Sequence, residues 1–249
     1  MTTLQIILLA AAAVLGSALN AVAGGGSFFT FPALIFTGVP VLNANATSTI
    51  ALWPGSIASA YTYRRKLQVK RSLLISFTAI SIAGSIGGTS LLLLTPPDVL
   101  RSLVPYLMLS ATLLLIFKNR IDKNRWMPAA PSNIPVVMAL QFIIGAYGGY
   151  FGGGMGILML ATFSLMGYSS LQQMNALKSF LGACINGVAV IIFILMKVIF
   201  WPQALVMVVA AIFGGYLGAF LGTRVPQKYL HWFIIGVGIF FTVYFFVKH

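Results

Sequence analysis

The sequence predicts an all-α polytopic membrane protein built from two internal repeats. Three observations carry that reading. Apolar residues make up 59% of the chain and charged residues only 7%, against roughly 25% charged in soluble domains. Uncharged apolar stretches recur at the length that a hydrocarbon core about 30 Å thick demands. A set of glycine and asparagine landmarks also occurs twice, in the same order.

The elements follow in turn. Leu4–Ala23 is the first apolar run. It lacks a basic leader and is too long for a signal core, so it reads as a span that is not cleaved. It leads into Gly24-Gly25-Gly26. Leu4 to Thr37 is 34 residues, about 51 Å as a helix, more than one crossing can hold. The chain therefore breaks at the glycines, and Phe28–Thr37 reads as a half-helix. A polar patch follows, "NANATST" at Asn43–Thr49, and then a longer span. Ser72–Thr95 carries Gly84-x-x-x-Gly88, a small-residue face for close helix approach. Leu103–Phe117 closes the first copy, and the hydrophilic stretch Lys118–Ser132, with Pro128 and Pro131, is the seam.

The second copy repeats the plan. Ile134–Leu165 is interrupted where glycine takes six of nine positions, Gly148 to Gly156. Each glycine in place of alanine costs a core helix about 0.5–1 kcal/mol, so the run has a backbone purpose or is a loop. Ile157–Met166 is the second half-helix. The patch "QQMNALKS" follows at Gln172–Ser179, then Ser179–Met196, Ala204–Thr223 with Gly214-x-x-x-Gly218 and Gly222, and Trp232–Val247. Gly24–Gly26 precede Gly152–Gly154 by 128 positions, and Asn45, Gly84, Gly88 and Leu100 precede Asn175, Gly214, Gly218 and Leu230 by 130. The copies are assigned to residues 1–125 and 126–249. Counting each half-helix as a pass gives an odd number per copy, eight full spans plus two short segments in all, and makes the repeats inverted. Four passes per copy would make them parallel. With the odd count twelve basic residues fall inside and three outside; with the even count the division is eleven against four. The odd count is preferred.

The net charge is +13, yet nine of the fifteen basic residues form two clusters between apolar runs: Arg64, Arg65, Lys66, Lys70 and Arg71, then Lys118, Arg120, Lys123 and Arg125. That is the positive-inside pattern of a protein whose partner is the lipid bilayer, not nucleic acid. The single Cys184 excludes an intrachain disulfide and cysteine-based metal spacing. The acids are Asp98 and Asp122, both outside the apolar runs, and the histidines are His231 and His249. No carboxylate pair, triad or metal cluster can be assembled, so no enzyme and no cofactor is expected. The chain is compatible with a homo-oligomer.

Irregular backbone at membrane depth is tolerated where it is buried in protein or lines a cavity. Two matched breaks, each followed by a half-helix, point to a midplane site in which helix N-termini attract an anion. The competing reading is that the glycines serve tight packing alone. The expected binding residues are Gly24, Gly25, Gly26, Ser27, Asn45, Thr47 and Ser48 from the first copy, with Gly152, Gly153, Gly154, Asn175, Lys178 and Ser179 from the second. Amides and hydroxyls donate to an oxyanion without adding negative charge. Lys178 stands where the first copy has Ser48. It either snorkels at a helix end or pairs with the anion. Asn45 and Asn175 have helix capping as their alternative role. Trp53 and Trp201 each precede a proline; Trp201 reads as an interface anchor, and Trp53 is a residue that could face the pathway.

"AGGGSFFTFPALIFTGVPVLNANATST" and "GYFGGGMGILMLATFSLMGYSSLQQMNALKS" resemble the two signature segments of the TauE/SafE sulfite exporter family. The resemblance runs the length of the chain. It implies an inner-membrane, multi-pass secondary transporter of sulfite or small organosulfonates, usually an exporter. Family members often carry Thr-Ser in both patches. Thr47-Ser48 fits, whereas Leu177-Lys178 departs and adds a positive charge. An anion channel using the same half-helices as a fixed filter is the alternative.

Overall fold

The computed structural model describes residues 1–22, 25–123, 134–166, 170–221 and 227–247. Gly24 of the expected site, residues 124–133 of the expected seam, and Gly222, Arg224, Lys248 and His249 lie outside the described residues. So do the side chains of Lys118, Arg120, Asp122, Lys123, Lys228 and His231.

The described residues form ten α-helices, one 3₁₀ turn and no strand. In order they are α1 (Thr3–Val22), α2 (Ser27–Phe36), α3 (Val41–Tyr63), the 3₁₀ turn Arg64–Lys66, α4 (Arg71–Leu94) and α5 (Pro97–Lys123), then α6 (Ile134–Tyr150), α7 (Met155–Leu165), α8 (Leu171–Leu195), α9 (Trp201–Leu221) and α10 (Gln227–Val247). Stretches within α1, α4, α8 and α9 are long and apolar enough on their own to cross a membrane. In α3 the polar patch dilutes the apolar character, and the described part of α6 has 17 residues. Large apolar side chains stand exposed around the outside, among them Leu4, Ile7, Leu91, Ile143, Phe213 and Phe240. In water such a surface would aggregate; against acyl chains it is the stable arrangement. This is a multi-pass membrane protein.

The two short helices fall where the glycine breaks place them. Gly25 turns with φ +103°, and Gly152 and Gly154 with φ +76° and +77°, a region that costs other residues roughly 1–2 kcal/mol. α2 is enclosed, with Phe28 through Leu34 all buried. α7 is buried along most of its length, with Phe163 and Met159 fully covered. The polar patches are not separate segments: they are the opening turns of α3 and α8. Ser170 caps α8 by accepting from the Gln173 amide.

The packing exchanges the two halves. α1 lies along α9 and α4 along α6, so the first helix of each half packs on the fourth of the other; α3 meets α8, and α5 meets α10. The glycine faces set these approaches. A Cβ on Gly88 would sit 1.8 Å from the Ala146 carbonyl oxygen, and one on Gly218 would sit 2.4 Å from that of Ala18. Ala18 and Ala146 are 128 apart, Gly88 and Gly218 130 apart. The same relation runs through the hydrogen bonds. Asn43 donates to the Val198 carbonyl at 2.8 Å, and Gln173 donates to that of Gln68. Where the halves meet, a residue touches its own counterpart. Trp53 donates to the Ala183 carbonyl at 3.0 Å, and the Thr112 and Thr242 hydroxyl oxygens lie 3.4 Å apart, both pairs 130 apart in sequence. Trp53 is thus bonded to the α8 backbone, while Trp201 is 47% exposed at the start of α9.

Candidate functional site

A polar cavity lies where the end of α1, the start of α7, and the facing stretches of α3 and α8 come together. Asn20 and Ala21 reach it from α1, Ser56 and Ser59 from α3, Met155, Gly156 and Met159 from α7, and Lys178, Ser179, Gly182 and Asn186 from α8. Its water-accessible volume is about 20 Å³, room for one water-sized group.

The geometry follows from the breaks. α1 is described as far as Val22, and the last turn of a helix carries carbonyls with a partial negative charge. Lys178, 4% exposed, answers them: its Nζ donates to the Asn20 and Ala21 carbonyl oxygens, each at 3.3 Å. α7 presents the opposite pole. The Met155 amide donates to the Gly152 carbonyl and the Ile157 amide to that of Gly154, while the Gly156 amide has no backbone acceptor among the described residues. Hydroxyls complete the polar side. The Ser59 and Ser179 oxygens are 3.1 Å apart, and Asn20 Nδ2 donates to Ser56 Oγ at 3.3 Å. Among the described residues no carboxylate lines the cavity. A buried ammonium, a helix N-terminus and neutral donors attract an anion and repel a cation. Met155 and Met159 supply a soft, apolar wall opposite.

Of the residues the sequence marked, Lys178 and Ser179 line this cavity. The others are placed as follows. Asn45 Nδ2 donates to the Tyr150 carbonyl at the end of α6, at 2.8 Å. It therefore caps the carbonyl end of a helix in the other half, not its own N-terminus. Thr47 Oγ1 accepts from the Phe200 amide at 3.0 Å, and Ser48 shares a 2.6 Å hydrogen bond with Thr30. Gly26 packs against Gly16, and Ser27 begins α2, half-buried. The Gly153 carbonyl accepts from the Tyr147 hydroxyl at 2.6 Å, and Gly152 and Gly154 make the turn into α7. Asn175 is buried one turn before Lys178, and its Oδ1 has no partner among the described residues. Asn20, Ser56, Ser59 and Asn186 line the cavity without having been singled out. One signal was available: Ser56 and Asn186 are 130 apart, polar residues at matching positions of apolar segments.

The repeat-related position is filled. Phe31 stands in for Met159, Leu52 for Gly182 and Ala189 for Ser59; all three are buried, and Phe31 packs edge-on against Phe151 at 5.7 Å. The covering layers are unequal too. Along α3, Ser56 and Ser59 give way to Tyr63 and then to the exposed basic turn Arg64–Lys66. At that end the packing is a small cluster of Ala21, Tyr63 and Ala176, with Leu67 against it. At the other end lies a thick layer that includes Ala46, Ile50, Leu92, Leu100, Phe193 and Ile199.

Residues 8–245 match the family described as sulfite exporter TauE/SafE. The chain is 29% identical over 220 residues to probable membrane transporter protein ORF9 of Sinorhizobium sp, covering 88% of this chain and 80% of that protein. It is 30% identical over 216 residues to probable membrane transporter protein YfcA of Escherichia coli K12, covering 85% and 77%. A probable membrane transporter protein of Haemophilus influenzae is 28% identical over 205 residues, covering 82% and 79%. No solved structure matches the chain. Matched over residues 8–245, the chain belongs to the TauE/SafE sulfite exporter family.

Proposed function

We propose that this protein is an inner-membrane secondary transporter that exports sulfite or small organosulfonate anions, binding one at a time in the cavity between α1 and α7. One observation carries the reading: a polar cavity holds a buried lysine and, among the described residues, no carboxylate, beside the amide end of a half-helix. Lys178 and Ser179, with Asn20, Ser56, Ser59, Asn186 and the Gly156 amide, are the proposed contacts. Gly25, Gly26, Ser27, Asn45, Thr47, Ser48, Gly152, Gly153, Gly154 and Asn175 hold the broken helices around it.

The two copies, residues 1–125 and 126–249, are proposed to be inverted about an axis near Trp53–Ala183 and Thr112–Thr242, and to rock against each other. Five helices per copy set the second copy upside down relative to the first, which is how transporters frame a midplane site. The basic turn Arg64–Lys66 belongs on the cytoplasmic side. The thin layer at Tyr63 then faces the cytoplasm, the side from which an exporter loads. Sulfite near neutral pH is a mixture of mono- and dianion, so a proton can travel with it without a carboxylate relay among the described residues of the cavity.

Proteoliposomes test this with sulfite, sulfoacetate, sulfate and chloride, with and without a pH gradient. Saturable counterflow of sulfite or sulfoacetate is expected. Stepwise single-channel currents would establish the channel reading instead, and transport of none of the four anions would remove the proposal.

A further inference from the structure

We infer that Lys178 couples anion binding to the first helix break: the ammonium that caps the carbonyl end of α1 is the group an anion in the cavity draws on, so loading uncaps α1 beside its glycine turn. This rests on the reading of the cavity as the anion site. The first break needs an explanation that the cavity alone does not give. Gly25 and Gly26 are among the strongest breaking signals in the chain, yet among the described residues around the break it is Asn20 and Ala21, just before it, that line the cavity.

The link is Lys178. Its Nζ holds the Asn20 and Ala21 carbonyls at 3.3 Å each, longer than the roughly 2.7–2.9 Å that an ammonium adopts with an anionic oxygen. An anion entering the cavity therefore offers the ammonium a better partner. It also brings negative charge toward the negative end of the α1 dipole. Both effects act on the last turn of α1 in one direction, loosening it. Immediately beyond, Gly25 holds φ +103°, where the chain changes direction into the enclosed α2. The turn separates a helix that can shift from one that is fixed in the core.

The other half lacks this device. There the carbonyl end of α6 is capped by Asn45, a neutral amide at 2.8 Å. An uncharged amide gains less from a nearby anion than an ammonium does, and Ser48, the counterpart of Lys178, is engaged with Thr30. One break is thus responsive to charge and the other static.

Hydrogen–deuterium exchange on the purified full chain tests the coupling, with peptides covering Gly16–Val22 read in the presence of sulfite or of chloride. Saturating sulfite is expected to speed exchange there about threefold or more in the unaltered protein, as expected for local opening of a helix end. Lys178→Arg keeps the response. Lys178→Gln exchanges fast without sulfite and gains nothing from it. If sulfite is transported saturably while exchange over Gly16–Val22 does not respond, the coupling is wrong and the site stands. The coupling is also overturned if Lys178→Gln responds as the unaltered protein does. If sulfite neither binds nor moves in the unaltered protein, the anion site fails and the coupling fails with it.

Discussion

At the first glycine break Gly25 turns at φ +103°, and the amides of Phe28, Phe29 and Thr30 are already bonded to Gly25 and Gly26. At the second, Gly152 and Gly154 turn at φ +76° and +77°, and the Gly156 amide faces a polar cavity without a backbone acceptor among the described residues. The two breaks share one pattern in the sequence, yet large side chains pack around α2. The cavity beside α7 instead holds Lys178, whose Nζ reaches to the Asn20 and Ala21 carbonyls just before the first break. If the repeats and the anion site are as proposed, a few differences between the halves, Ser48 against Lys178 and Leu52 against Gly182, decide which side accepts the ligand.

The comparison breaks most decisively at Lys178. Lys178→Ala should weaken sulfite uptake or binding roughly tenfold to a hundredfold, the loss expected for one charge-assisted hydrogen bond of about 1.5–3 kcal/mol. Ser48→Ala should leave uptake within about a factor of three, because an interhelical hydrogen bond in a membrane averages about 0.6 kcal/mol. Equal losses from the two would erase the distinction between the breaks. Next comes Asn175→Ala, for which binding measured by isothermal titration should weaken more than for Lys66→Ala, an exposed residue outside the cavity. A lysine on the basic turn that mattered as much would move the site.

Backbone changes come next in size and read out as thermal stability in detergent. Gly154→Ala forces an alanine to φ +77° with Ala111 already 3.4 Å from the new Cβ, at a cost of about 1–2 kcal/mol. Gly38→Ala meets nothing within 4 Å at φ +86° and should cost only the conformational part, about 1 kcal/mol. The smallest effect is expected of Asn45→Ala. It removes the cap on Tyr150 and should lower stability by about 1 kcal/mol while leaving sulfite affinity unchanged. A fall in affinity there would make the first break a binding element after all.

The helices were legible because glycine and hydropathy act locally. The half-helix read as Phe28–Thr37 is Ser27–Phe36, and that read as Ile157–Met166 is Met155–Leu165. The glycine faces at Gly84, Gly88, Gly214 and Gly218 were legible as contact surfaces, since only close approach justifies them in an apolar helix. Their partners were not: that Gly214 and Gly218 sit on Val14 and Ala18 depends on contacts almost the whole length of the chain apart. At the site, Lys178 stood out because a charge in an apolar span breaks the repeat. Asn20 and Ser59 did not, because one polar residue in a long apolar helix carries no signal until three other helices surround it. Asn45 reads as an anion contact or a helix cap, and the partner it takes was not legible. The carbonyl it satisfies belongs to Tyr150, in the other half.

The exchanged seams bear on how the chain is made. α1 finds its main partner in α9, roughly two hundred residues later. At about 5–20 residues per second of synthesis, it waits in the lipid for on the order of ten seconds or more. Its Val14–Ala18 surface and the Gly84–Gly88 stripe of α4 stay unmatched until the second half emerges. A fragment ending before α6 would then be degraded or self-associate through those stripes, whereas two separately expressed halves should find each other in the membrane and assemble as the intact chain does.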